Sequence, residues 1–153
     1  LYVSDESYFK KESLQVGSID PLPFDSFVGF YDYRNELQKR YPDNAWLTPS
    51  EIYKPYYGYM VANYIMEIYD RMKLSKLRIL EIGPGKGALS DSILDFLQNY
   101  NLRLYRSVKY SLVEISPLLA KHCEELLTER HPEPMKRGQI EILNGSIFDL
   151  HTK

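Results

Sequence analysis

Cysteine is nearly absent from this 153-residue chain, with Cys123 the single one, so neither an intrachain disulfide framework nor a multi-cysteine zinc site can form. Long apolar runs are absent as well. No stretch approaches the roughly 18 apolar residues of a membrane-spanning helix, and the first residues lack a basic-then-apolar signal pattern. There is no excess of either charge: 19 Lys and Arg face 21 Asp and Glu, a formal net charge of −2. That leaves no broad basic footprint, and nucleic acid is not the first partner to consider. His122, His131 and His151 follow no metal-ligand spacing and are expected on the surface, so no metal is expected. Internal repeats and low-complexity tracts are missing. A 44% hydrophobic and 26% charged composition excludes a wholly disordered chain, and the length suits about one domain.

Tyrosine is what the chain has in abundance, fourteen in all and concentrated before residue 70. Such side chains offer apolar area with a polar tip, and a half-buried packing layer is the reading preferred over an interface. Residues 1–45 lack sustained periodicity and contain Pro21, Pro23 and the turn-like Tyr41-Pro42-Asp43-Asn44, which reads as an N-terminal extension. A short helix is suggested over Asp32 to Arg40. Residues 46–76 read as a helical segment leading into the domain. Thr48-Pro49-Ser50-Glu51 places a hydroxyl, a proline and a glutamate as in a capping box, and Pro55 predicts a break between this first turn and the longer helix after it. Tyr57, Met60, Val61, Tyr64, Ile65, Ile68 and Met72 then recur at helical spacing, a stripe expected to pack on the core rather than to hold a cofactor.

From residue 77 to 153 the pattern alternates between strand and helix. Arg78 to Ile82 reads as a strand, Gly83 to Gly87 as a loop, and Ala88 to about Tyr100 as a helix with Leu89, Ile93, Phe96 and Leu97 inward. Lys109 to Ile115 is a second strand, and Ile140 to Leu143 a third. Between these two strands Pro117 to about Arg130 forms a helix with Leu119, Cys123, Leu126 and Leu127 inward. The order β-α-β-α-β is one mononucleotide-binding half of an α/β, Rossmann-like, doubly wound fold. Arg103, Arg106 and Lys109 form a small basic segment that reads as a solvated face.

A strand running through glycines into a helix lets a ligand approach the backbone, because glycine has no Cβ and tolerates positive φ. The free N–H groups at the helix start then suit an anionic group. Gly83-x-Gly85-x-x-Ala88 satisfies a dinucleotide fingerprint, so glycines alone admit a nicotinamide cofactor. Lys86 is followed by Gly87 and Ala88, with no hydroxyl for magnesium, which discards a nucleotide-hydrolysing phosphate loop. Glu81 lies just before the loop, where a carboxylate would repel a pyrophosphate but attract the ammonium of a methionine-like ligand. Glu114, at the end of the next strand, suits the hydroxyls of a ribose. Glu114 therefore indicates a nucleoside, and Glu81 tips the choice to S-adenosylmethionine.

Leu80-Glu81-Ile82-Gly83-Pro84-Gly85-Lys86-Gly87 resembles the first motif of class I methyltransferases, E/D-x-G-x-G-x-G. Trp46-Leu47-Thr48-Pro49-Ser50-Glu51-Ile52 with Tyr57-Gly58 is similar to a pattern of the MidA-like family, F-x-T-x-P-E-I-S and F-G, with proline and serine order altered. Leu89-Ser90-Asp91-Ser92-Ile93-Leu94 and Leu112-Val113-Glu114-Ile115-Ser116-Pro117-Leu118 resemble further segments of that family, which includes the mitochondrial arginine methyltransferase that assists assembly of respiratory complex I. The likeness covers about residues 45–130.

The resemblance implies a class I methyltransferase fold, of which this sequence is expected to carry the N-terminal half after a helical extension. It implies S-adenosylmethionine as cofactor, with Gly83, Gly85 and Gly87 accommodating its methionine part, Glu81 orienting that end and Glu114 holding the ribose. Asn144 and Ser146 stand where related enzymes contact adenine, often through an acid. The family's Asn-Glu-x-x-Asp motif has no match after Leu143, and no catalytic residue is assigned. The implied activity is protein arginine methylation supporting mitochondrial complex assembly, with a protein substrate or assembly partner. Two alternatives stand beside it. One is an inactive methyltransferase-fold scaffold. The other is an rRNA adenine dimethyltransferase, a family that shares the L-E-I-G-P-G-x-G-x-L motif, although Ser-Pro-Leu after Glu114 fits the MidA-like pattern better.

Overall fold

A computed structural model describes residues 22–40 and 48–149. The turn expected at Tyr41 to Asn44, the Trp46-Leu47 start of one family-like segment, and His151 lie outside the described residues. A 3-10 turn at Phe24–Ser26 precedes helix α1, Phe30–Arg40, so the short helix expected from Asp32 begins two residues earlier. Phe24 of the turn stacks on Tyr33 of α1 and on Tyr53 further along the chain.

Helix α2, Pro49–Ile52, is a single turn. The expected reciprocal capping box does not form. Thr48 Oγ1 donates to Glu51 Oε2 at 2.7 Å, and no side chain caps the helix N–H groups. Each capping partner thus satisfies the other instead of the backbone, which suffices for a helix that ends after one turn. Pro55 separates this turn from α3, Tyr56–Arg71, as its missing N–H requires.

The buried face of α3 differs from the expected one. Met60, Tyr64 and Met72 are exposed, whereas Gly58, Ala62 and Tyr69 are buried and Val61 and Ile65 pack beside them. The cause is a close helix crossing. A Cβ on Gly58 would lie 2.3 Å from Ser92 Cβ, so at the point of closest approach the helix turns its smallest residue toward its neighbour.

That neighbour is α4, Ala88–Tyr100, which comes after strand β1, Arg78–Ile82. Both elements keep their expected bounds. A short helix α5, Leu102–Tyr105, was not foreseen; Asn101 Oδ1 caps it by accepting from Leu104 N–H at 3.1 Å. Strand β2, Lys109–Glu114, leads to α6, Pro117–Arg130, whose N-cap Ser116 accepts from Leu119 N–H and whose first residue is proline. Another unforeseen turn, α7, Pro132–Lys136, connects to strand β3, Ile140–Asn144, and a 3-10 turn ends the described chain at Ile147–Asp149.

The three strands are parallel in the order β1-β2-β3, with Ile79 beside Tyr110 and Tyr110 beside Ile140. Residues in register share a face. The face carrying Ile79, Tyr110, Leu112, Ile140 and Ile142 packs with Ile93, Leu94 and Leu97 of α4 and Cys123 and Leu127 of α6 into one core. On the other face Leu80 and Ile82 are 56% and 61% exposed. A doubly wound sheet carries helices on both faces, and the described residues cover one. The architecture is a partial Rossmann-like class I methyltransferase fold. Among the described residues no helix is long and apolar enough to cross a membrane.

His131 departs from its expected surface position. It is 1% exposed, with Nε2 3.1 Å from Asp91 Oδ1 and Nδ1 3.0 Å from the Tyr105 hydroxyl. With the proton on Nε2, the ring donates to Asp91 and accepts from Tyr105. Lys54 Nζ, from the corner between α2 and α3, reaches Asp91 Oδ2 at 2.6 Å, and Arg130 Nε reaches Oδ1 at 3.2 Å. One carboxylate therefore ties the helical segment to α4 and to the end of α6.

Candidate cofactor-binding site

The parallel arrangement brings the C-terminal ends of all three strands together, the position where open α/β sheets bind ligands. Gly83, Gly85 and Gly87 come after β1 with φ of 71°, 59° and 87°, in the left-handed region that favours glycine. Gly83 N–H donates to Val113 O at 2.8 Å, which anchors the loop start on β2.

The three glycines differ in surroundings. A Cβ on Gly83 or Gly85 would meet nothing within 4 Å, so both present open backbone. A Cβ on Gly87 would lie 2.8 Å from Cys123 Sγ. Gly87 is buried and lets α4 approach α6; Gly83 and Gly85 are the two that leave room for a ligand.

Glu114 lies at the end of β2, buried at 4% exposure. Its Oε2 accepts from Gly85 N–H at 3.0 Å and its Oε1 from Ser116 N–H at 2.9 Å. The carboxylate thus shapes both the glycine loop and the start of α6. Each carboxylate oxygen has a second lone pair, which leaves acceptor capacity for hydroxyl groups.

Glu81 is half-buried, and its Oε2 accepts from the Tyr110 hydroxyl at 2.7 Å. Burial pushes its carboxyl pKa up, and the tyrosine bond partly offsets the rise. Among the described residues no cation pairs with it. Tyr110 is 1% exposed; burial and the neighbouring Glu81 hold its hydroxyl protonated far above neutral pH. Burial, with the charges of Glu81 and Glu114, pushes the Cys123 thiol up to about 12, so it stays neutral and unreactive. Lys86, in the loop itself, is pulled down by burial against the raising effect of Glu51.

Asn144 sits in register with Glu114, and its Nδ2 donates to Glu114 O at 2.8 Å. Ser146 Oγ accepts from Phe148 N–H at 3.2 Å. Asn144 therefore braces the β2 end through its amide nitrogen. The structure gathers Glu81, the glycine loop, Glu114 and Asn144 at one end of the sheet, with Ser146 just beyond.

A family model described as "Putative S-adenosyl-L-methionine-dependent methyltransferase" matches residues 60–144, more than half of the chain. The chain belongs to this methyltransferase family. Among curated protein sequences nothing matches. A COG1565 superfamily protein from Burkholderia thailandensis, solved with S-adenosyl-homocysteine, superposes with a TM-score of 0.52 at 21% identity over 64% of this chain and 23% of its own. A native structure of a COG1565 superfamily protein from the same organism gives 0.48 at 22% identity over 60% and 23%. Arabidopsis thaliana protein arginine methyltransferase 10 gives 0.43 at 15% identity over 80% and 27%. The chain spans about a quarter of the length of these relatives.

The site fits the cofactor of a methyltransferase family. Its open glycine backbone lies between a carboxylate without a counter-cation, suited to an ammonium, and a second carboxylate with spare acceptor capacity, suited to ribose hydroxyls. Tyr110 was missed in the sequence. Its signal was a hydroxyl at an inward strand position, two residues before Leu112, and that signal acquires meaning only once β1 and β2 are in register.

Proposed function

We propose that this chain is the cofactor-holding part of an S-adenosylmethionine-dependent methyltransferase that methylates arginine in a protein partner and supports assembly of a mitochondrial complex. The observation that carries the cofactor reading is Glu81, a half-buried carboxylate bonded by a neutral hydroxyl beside open glycine backbone. Glu81 receives the ammonium, Gly83 and Gly85 admit the methionine part, and Gly87 keeps the helix start close. Glu114 accepts from the ribose hydroxyls, while Asn144 and Ser146 border the adenine side. When bound, the cofactor supplies a sulfonium methyl group for direct displacement, and the protein's part is to align the acceptor with it.

The arginine and mitochondrial parts rest on the MidA-like segments, above all Leu112 to Leu118, in which Ser116 and Pro117 start α6 directly after Glu114. Calorimetry on the full-length protein is expected to show S-adenosylmethionine binding that is lost in Gly85→Val and in Glu114→Ala; unchanged binding in both overturns the site assignment. Labelled methyl groups are expected on arginine when a mitochondrial extract is supplied. Label on ribosomal RNA adenine instead replaces the acceptor, and fractionation that finds the protein outside mitochondria removes the localisation.

A second reading, a scaffold that does not catalyse, is favoured by one feature. Phe30 and Tyr31 are exposed on α1, and Tyr56, Met60 and Tyr64 on α3, apolar groups that a partner could cover. Methyl transfer by the full-length protein counts against it.

A further inference from the structure

We infer that Tyr110 is a positioning residue of the cofactor site, which orients Glu81 through a neutral hydrogen bond and thereby preserves the negative charge that the ligand's ammonium needs. The inference deepens the cofactor reading above and rests on it.

The geometry is specific. Tyr110 and Glu81 lie on the same face of adjacent parallel strands, with Tyr110 in register with Ile79 and Glu81 with Leu112. The tyrosine ring is locked in the core, so its hydroxyl has one place to point, and it meets Glu81 Oε2 at 2.7 Å. One carboxylate oxygen is pinned; Oε1 has no donor among the described residues and remains for a ligand.

The chemistry of the partner matters as much as its position. A lysine or arginine in the same place would orient Glu81 equally well but would cancel its charge. An apolar residue would leave a desolvated carboxylate to take up a proton or turn toward water. A tyrosine does neither. It donates one hydrogen bond, stays neutral, and stabilises the ionised form of the acid. The titratable groups facing Glu81 are this hydroxyl from β2 and the Cys123 thiol from α6, both uncharged at neutral pH. The asymmetry extends to neighbouring Glu114, whose oxygens are held by backbone N–H groups and not by a cation. Both acids therefore lie beside the open glycines with no cationic partner among the described residues.

The test uses the full-length protein and S-adenosylmethionine, with affinity measured by calorimetry from about pH 5 to 9. Tyr110→Phe keeps the ring and removes only the donor. It is expected to weaken binding roughly tenfold, the usual worth of a hydrogen bond to a charged group. It also removes an influence that lowers the Glu81 pKa, so the pH below which binding declines is expected to move upward. A merely structural tyrosine would not shift that profile. Glu81→Asp, too short to keep both the hydroxyl and the ligand, is expected to reproduce the weakening without altering the core, which keeps the test decisive if Tyr110→Phe folds poorly. In a Glu81→Gln background the Tyr110→Phe change is expected to cost nothing further. Wild-type affinity and an unmoved pH profile in Tyr110→Phe, or full binding in Glu81→Asp, or a loss that simply adds to that of Glu81→Gln, overturns this inference alone. A wild type that does not bind S-adenosylmethionine overturns the cofactor reading and this inference with it.

Discussion

Two carboxylates near the glycine loop have opposite surroundings. Asp91, in the first turn of α4, meets Lys54, Arg130 and His131 and is 1% exposed. Burial by itself would raise its pKa. The bonds from His131 and Lys54, with the charges of Lys54 and Arg130, outweigh that effect and hold the carboxyl well below the usual range. Glu81, before the loop, meets one neutral hydroxyl, and burial leaves its pKa raised. The difference separates a carboxylate paired within the protein from one left unpaired. Asp91 joins three parts of the chain, and its charge is spent within the protein. Glu81 has no cationic partner among the described residues, an arrangement that suits a cationic ligand.

The largest effect that would break this comparison is on stability. Asp91→Ala leaves His131 and Lys54 without their partner and is expected to destabilise the fold by about 3–5 kcal/mol, at the lower end because Lys54 and Arg130 reach solvent. Urea unfolding measures it. The pH dependence has a definite sign: a carboxyl with a depressed folded pKa contributes stability that is present above its unfolded value, about 3.9, and lost as pH falls through the folded value. Wild type is expected to lose this increment below about pH 4, whereas Asp91→Ala has none to lose.

Next in size is the wall between the two acids. Gly87→Ala forces a Cβ to 2.8 Å from Cys123 Sγ at a positive φ, for an expected loss of about 2–4 kcal/mol. Gly85→Ala carries only the backbone strain, about 1–2 kcal/mol, since its Cβ meets nothing. Equal losses in thermal unfolding would remove the distinction between a packing glycine and a ligand-facing one. Tyr105→Phe, which deletes the outer member of the His131 chain, is expected to cost about 1 kcal/mol by urea unfolding.

The smallest effect has the opposite direction. A raised folded pKa means that Glu81 favours the fold when protonated and disfavours it as pH rises through the folded value. Glu81→Gln is therefore expected to stabilise the protein at pH 7, by about 0.5–1 kcal/mol, while weakening cofactor binding. A Glu81→Gln variant that is less stable than wild type at pH 7 would place Glu81 with Asp91 among the structural carboxylates.

Much of the fold could be read from the residues because its signals are local. Arg78–Ile82, Ala88–Tyr100 and Pro117–Arg130 keep the bounds that their periodicity, glycines and prolines indicate. The short helices Leu102–Tyr105 and Pro132–Lys136 escaped because one turn is too brief to show a period. The face of α3 differs from its periodicity for another reason. Hydrophobicity selects Met60 and Tyr64, but the close crossing with Ser92 demands the small residues Gly58 and Ala62, and a single helix does not show how near its neighbour comes. The burial of His131 has no local signal because its partners, Asp91 and Tyr105, lie on other elements.

The chain by itself determined the succession of strands and helices, the left-handed glycines after β1 and the acids at two strand ends. These arise from side-chain period and backbone sterics, which act between near neighbours. The tertiary structure alone decided that Gly87 packs while Gly83 and Gly85 stay open, that Asp91 is neutralised, and that Tyr110 holds Glu81. Each of these depends on a contact between residues distant in sequence, set by strand register and helix approach. Solvation and charge pairing are properties of that assembled neighbourhood, and no local pattern specifies them.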